Sequence, residues 1–319
     1  MTRSRMLALV TVDVALLIVL LVGLLGPRSV PADRPLTRAA LGSAESVIID
    51  ADEAIVLVRS ESGWKLALDD ERYPARQDRI EPFIEEIESG RVIREVTDDS
   101  DLHADFGVSE ALSRRVTIDA VSGAVELLFG STGDQAGTIY VREPGDTTVI
   151  LARSAVDFYL RQPASFWAYL RVFPEDVVAA DVVRIRLRLE RAALPAGVDP
   201  GYTDLELVRD ADRRWYLATE SGTTTASEVE VARYARDLAD LVGDGFYEGL
   251  PENLAPVGRL WFSVSDGREF SADILTDGAV LVVNPDGRNL PGSLYGGLRY
   301  TLALQKLLRL IPRTAALAE

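Results

Sequence analysis

Between Leu7 and Leu25 the chain is apolar at every position except Thr11 and Asp13; beyond Arg28, apolar and polar residues interleave to the end. The first pattern is about the length a helix needs to cross the hydrocarbon core of a bilayer. Arg3 and Arg5 precede it and Gly26-Pro27 end it, so it predicts a single transmembrane anchor with the amino terminus in the cytoplasm. The run is too long for a signal peptide core, and LLGPRSVPAD offers no small-x-small cleavage site, so the anchor is expected to be retained. Ser29 to Arg38 is polar, carries two prolines and reads as a stiff linker.

The second pattern switches between two periods. Val47 to Ile49, Ile55 to Arg59 and Trp64 to Leu68 carry strand signals, with a turn at Glu61-Ser62-Gly63. Asp78 and Glu81 have capping-box spacing ahead of Ile80, Phe83, Ile84 and Ile87 at helical intervals, and Gly90 closes that helix. Strand pairs follow at 116–120 with 125–129 and at 138–142 with 148–152, and a helix interrupted near Pro163 spans 156–170. Then the order restarts. Val183, Ile185, Leu187 and Leu189 alternate with Arg184, Arg186 and Arg188. Strands at 205–208 and 215–217 precede a second capping box at Thr225 and Glu228. A hairpin about Asp266-Gly267, a last strand at 279–283 and a terminal helix bearing Tyr300, Leu304, Leu307, Leu308 and Ile311 complete the series. Trp64 stands as far before Ile80 as Trp215 before Val231, and VTIDAVSG at 116–123 parallels LWFSVSDG at 260–267. An internal duplication explains this economically. The expected architecture is α+β, with an anchor (1–27), a linker (28–45) and two tandem antiparallel-sheet-plus-helix units (46–176 and 177–315).

Charge narrows the function. A formal net charge of −16 repels phosphate backbones and argues against nucleic-acid binding. Without cysteine, disulfides, thiolate metal sites and cysteine nucleophiles are excluded. His103 is the one histidine, flanked by Asp101 and Asp105 in an acidic loop; it reads as a surface residue, because a metal site needs several converging ligands. Thr97 to Asp101 lacks the glycine and distal glutamate of a calcium-binding EF-hand loop. Neither Gly130 to Gly133 nor Gly292 to Gly297 continues into a phosphate-loop motif. No cofactor or metal is therefore expected, and no catalytic residue. Two features stand out as candidate contacts. Like charges at Arg184, Arg186 and Arg188 repel unless carboxylates such as Glu206, or an anionic partner, oppose them. Asp13 within the apolar run either sits near the interface or meets a polar group on a partner's membrane helix. The four tryptophans, beside aliphatic residues, are expected in the core.

Gly63-Trp64-Lys65-Leu66, Tyr73-Pro74-Ala75, Phe106-Gly107-Val108, Phe129-Gly130 and Tyr140-Val141-Arg142, in that order, resemble the domain-of-unknown-function family 4340 (DUF4340). Arg76 departs from the pattern, standing where the family often has aspartate. The resemblance implies a bacterial envelope protein with one amino-terminal anchor, often encoded beside an ABC transporter similar to the gliding-motility type. It implies no activity and carries over no catalytic residue. The expectation is thus a non-enzymatic accessory or scaffold protein of the cytoplasmic membrane, its body extracytoplasmic, with ABC transporter subunits as partners. The alternatives are an envelope hydrolase working through carboxylates and a solute-binding module feeding a transporter.

Overall fold

The computed structural model describes residues 34–68, 71–286 and 298–318. The apolar run at 7–25 and Asp13 lie outside the described residues. Among the described residues no helix is long and apolar enough to cross a membrane.

Among the described residues, nineteen strands and a few helices build an α+β fold in which every strand pairing is antiparallel. The chain divides into two compact units, each drawn from two stretches of sequence. Of the described residues, one unit comprises those up to Ala54 with Glu81–Arg161; the other comprises those of 55–80 and 162–318.

The first unit holds β1 (Arg34–Pro35), β2 (Ala44–Asp50), β6 (Arg91–Thr97), β7 (Arg114–Ala120), β8 (Gly123–Thr132), β9 (Thr138–Arg142) and β10 (Val149–Arg153), in the order β1-β6-β10-β9-β8-β7-β2. Val47 and Ile49 of β2 and Val116 and Ile118 of β7 point to one side and are fully buried, as period-two alternation requires. Three motifs of the family resemblance meet here. Phe106 accepts from the Ser131 amide at 2.9 Å through its carbonyl, and its ring lies 4.7 Å from that of Tyr140. Gly130 passes so close that a Cβ there would sit 2.2 Å from the Phe106 oxygen, so only glycine permits the approach. Arg142, only 5% exposed, donates to the Val108 carbonyl at 3.0 Å, the Asp146 carbonyl at 2.9 Å and Glu110 at 2.9 Å. A buried guanidinium is costly unless its donors are satisfied, and here they hold a loop to the sheet.

The second unit contains β3 (Ala54–Ser60), β4 (Gly63–Leu68) and β5 (Glu71–Pro74) as an antiparallel meander leading into α1 (Gln77–Ser89), within which the boundary between the units falls. Two short helices, α2 (Asp157–Leu160) in the first unit and α3 (Ala164–Trp167) in the second, flank Pro163 as expected. The second unit's larger sheet is made of β11 (Val182–Leu189), β12 (Asp204–Arg209), β13 (Trp215–Thr219), β14 (Gly222–Thr225), β15 (Gly245–Phe246), β16 (Ala255–Val264), β17 (Glu269–Thr276), β18 (Leu281–Pro285) and β19 (Tyr300–Leu302). Its order is β14-β13-β12-β11-β16-β17-β18-β19-β15. Helices α4 (Glu228–Ala239), α5 (Leu304–Leu310) and α6 (Thr314–Leu317) complete it. One face of the sheet, with Ile185, Leu187, Leu205, Leu207, Leu260 and Phe262, is fully buried, as are Val231, Tyr234, Ala235 and Leu238 along one stripe of α4.

Two corners of this unit share one hydrogen-bond pattern. The Ala75 amide donates to Trp64 and the Ala226 amide to Trp215, both at 2.9 Å. The Arg76 amide donates to Trp167 at 2.8 Å and the Ser227 amide to Leu317 at 2.9 Å. Isolated bridges join Ala75 to Ala168 and Ala226 to Ala318.

Both expected capping boxes are displaced. Helix α1 begins at Gln77, and Asp78, already inside it, is held by Arg76 at 2.7 and 3.1 Å. Helix α4 begins at Glu228 after Ser227, while Thr225 still belongs to β14. In both places only two residues separate strand and helix, and the amide just before the helix, that of Arg76 or Ser227, donates to the backbone carbonyl of Trp167 or Leu317. The terminal helix is also shorter than its apolar stripe suggested: Tyr300 is in β19, and Leu304 and Leu308 are exposed.

Candidate interaction face

The alternation in β11 sends Ile185, Leu187 and Leu189 into the core, which leaves Arg184, Arg186 and Arg188 together on the outer face of the sheet. Register then decides their neighbours. On β12, Glu206 stands opposite Arg186 and Asp204 opposite Arg188; on β16, Trp261 stands opposite Arg186 and Arg259 opposite Arg188. Arg184 reaches diagonally to Glu206 at 2.6 Å. Arg186 grips Asp204 with two donors, at 2.8 and 3.2 Å, and Arg188 approaches the same carboxylate at 3.4 Å. The repulsion implied by three like charges is thus relieved within the sheet, by carboxylates of the neighbouring strand.

The face continues across β16. Trp261 is only partly buried rather than in the core, which corrects the expectation for this tryptophan; Trp64, Trp167 and Trp215 are buried. Its neighbours Leu260, Phe262 and Val264 take the inner side, so period two forces Trp261 outward. The guanidinium of Arg186, opposite on β11, lies 6.0 Å from its ring, and that of Arg259, two residues earlier on β16, lies 5.3 Å from it. Arg259 is anchored by Asp286 at 2.8 Å and Asp273 at 3.5 Å. The hydrogen bond from Arg186 holds the Asp204 carboxyl below the usual carboxylate range, and Asp204 raises Arg186 in turn. The result is a patch of alternating charge with an aromatic at its centre, its arginines fixed in place.

The other sequence candidates do not converge on it. His103 lies in the first unit, where its Nε2 is 2.8 Å from the Thr147 carbonyl. The Thr97–Asp101 stretch is a turn closed on itself: Asp99 accepts from the Asp101 amide and Thr97 from the Asp99 amide, both at 3.0 Å. No cluster of three or more potential metal ligands occurs among the described residues. The carboxyls of Asp78, Asp146, Asp204, Asp266 and Asp277 are all held below their usual range by hydrogen bonds or arginine neighbours, and Glu220, bonded by Thr203, lies at about 2.

Fold and face together define an α+β protein of antiparallel sheets that carries a polar, arginine-rich sheet surface. The domain-of-unknown-function family DUF4340 matches residues 64–257, more than half of the chain, and the chain belongs to that family. Neither a curated protein nor a solved structure shows significant similarity to it.

Proposed function

We propose that the chain is a single-pass accessory protein of the bacterial cytoplasmic membrane, anchored by residues 7–25, whose extracytoplasmic, internally duplicated body binds other envelope components, ABC transporter subunits of the gliding-motility type among them. The observation that carries this reading is the Arg186–Trp261–Arg259 array. Tryptophan and arginine are the residues that most often dominate binding energy at protein interfaces, and an array already fixed by Asp204 and Asp286 loses little side-chain entropy on docking. Membership of the DUF4340 family supports the class, and the matched hydrogen bonds at the two tryptophan corners support duplication. The downward-shifted carboxylates named above suit hydrogen-bond acceptors better than general acids, which favours binding over hydrolysis.

Crosslinking in cells tests this, with the full-length chain beside a version that starts at Arg28. Transporter subunits captured by both forms would place the contact on the body, as proposed. Capture only with the anchor would move it into the membrane and promote Asp13. Capture of no envelope protein by either form would end the proposal.

A further inference from the structure

The shared hydrogen bonds at the two corners also fix which residues correspond. Trp167 and Leu317 hold one position, so Phe166 and Ala316, one residue earlier, hold the next; Ile80 and Val231 each donate back to the start of their helix, so Arg79 corresponds to Glu230. At the first corner the Arg79 guanidinium lies 4.1 Å from the Phe166 ring centre and donates to the Phe166 carbonyl. At the second corner the ring is replaced by Ala316 and the arginine by Glu230. The strand connection differs too. Residues 51–53 join β2 to β3, whereas 190–203 join β11 to β12, and the longer segment brings Gly197 to Pro200 alongside α4 and α6.

Loss of the ring and gain of the wall leave a cavity of about 650 Å³ at the second corner. That lies within the range of about 300–1,000 Å³ typical of small-molecule sites. Val198, Ile311, Leu317 and the ring of buried Tyr234 supply apolar lining. Arg309 and Arg313 also line it, and among the described residues neither guanidinium has a carboxylate within 4.0 Å, in a chain of net charge −16. The acids nearby are otherwise disposed: Glu230 pairs with Arg233, and Asp199 accepts from the Gly201 amide at 3.0 Å. Asp237 lines the cavity as well, which disfavours a polyanion by like-charge repulsion.

We propose that this cavity binds an amphiphilic monoanion, its apolar body on the Val198–Ile311–Leu317 lining and its carboxylate or phosphate head at Arg309 and Arg313. Fatty acids and alkyl phosphates share that chemistry, and the probes separate them. The full-length chain, in discs of zwitterionic phosphatidylcholine with empty discs as blank, is titrated calorimetrically with octanoate, octyl phosphate and octanol. Saturable one-site binding of octanoate or octyl phosphate is expected, with octanol at least tenfold weaker. Whichever anion binds more tightly names the head. Ala316→Phe, which restores the ring of the first corner at an exposed position, should weaken binding at least tenfold. Arg309→Gln with Arg313→Gln, both exposed and without acidic partners among the described residues, should weaken the anions at least fivefold and leave octanol unchanged. Thermal unfolding of each variant checks that the fold persists. Octanol binding as tightly as the anions, affinity indifferent to both variants, or no saturable binding of any probe would overturn the proposal.

Discussion

The two tryptophan corners of the second unit are built on one backbone plan and finished differently. Each runs a strand bearing a buried tryptophan into an edge strand, then within two residues into a helix, and ties the junction to a short helix later in the chain. At the first, large side chains fill the junction: Trp167 is fully buried, Arg79 covers Phe166, and the Tyr73 ring packs 4.4 Å from Phe246 and 5.7 Å from Tyr300. At the second, the position of Tyr73 falls to Thr224, on a strand exposed along its length, and Ala316 stands for Phe166. Backbone hydrogen bonding specifies the corner; side-chain volume decides whether it is a brace or an opening.

That contrast is broken most severely at Trp167. Replacing this buried indole by alanine is expected to destabilise the chain by about 3–5 kcal/mol, and Leu317→Ala by about 2–3 kcal/mol, since less volume is lost at a junction already partly open. Urea unfolding of both variants checks the order; equal losses would mean that the corners are packed alike. Arg79→Ala should cost about 1–2 kcal/mol, from the lost ring contact and the lost hydrogen bond to Phe166. Acid sharpens the comparison at the sheet face. Asp204 has a folded-state pKa below its unfolded one, so its stabilising contribution is complete above the ordinary aspartate range and is lost as pH falls through the depressed value. Wild type and Asp204→Asn should therefore differ most in stability near neutral pH and converge in strong acid, as thermal unfolding across pH would record. The smallest effect is expected for Arg184→Ala, whose exposed pair with Glu206 is worth under about 0.5 kcal/mol. A loss several times larger would mark Arg184 as part of a cooperative network with Arg186.

The elements with strong alternation were legible in the sequence, β11 above all, because one face of its sheet is wholly buried. Strand β6 was not: Arg91, Arg94 and Glu95 crowd a seven-residue strand and mask its period. Edge strand β14, Gly-Thr-Thr-Thr, has no apolar residue to show a period at all. The capping boxes misled because that signal presumes a loop before the helix, and here a strand precedes it. At the candidate face, the arginine ladder and its acidic neighbour Glu206 could be read directly, whereas Asp204, Asp273 and Asp286 depend on register between strands distant in sequence. Trp261 could have been placed outward from Leu260, Phe262 and Val264 around it, had its period been weighed above its hydrophobicity. The cavity at the second corner was invisible in the sequence, because it arises from a residue pair related only through tertiary hydrogen bonds.

The most direct test of the interaction face is photocrosslinking in living cells, with benzoylphenylalanine placed at Ser263, beside Trp261 on β16, and separately at Val121, an exposed turn of the first unit. A transporter subunit or other envelope protein joined at position 263, absent at 121 and lost when Trp261→Ala is added, is the expected result. Adducts at 121 alone, or adducts at 263 that persist without the tryptophan, would contradict it.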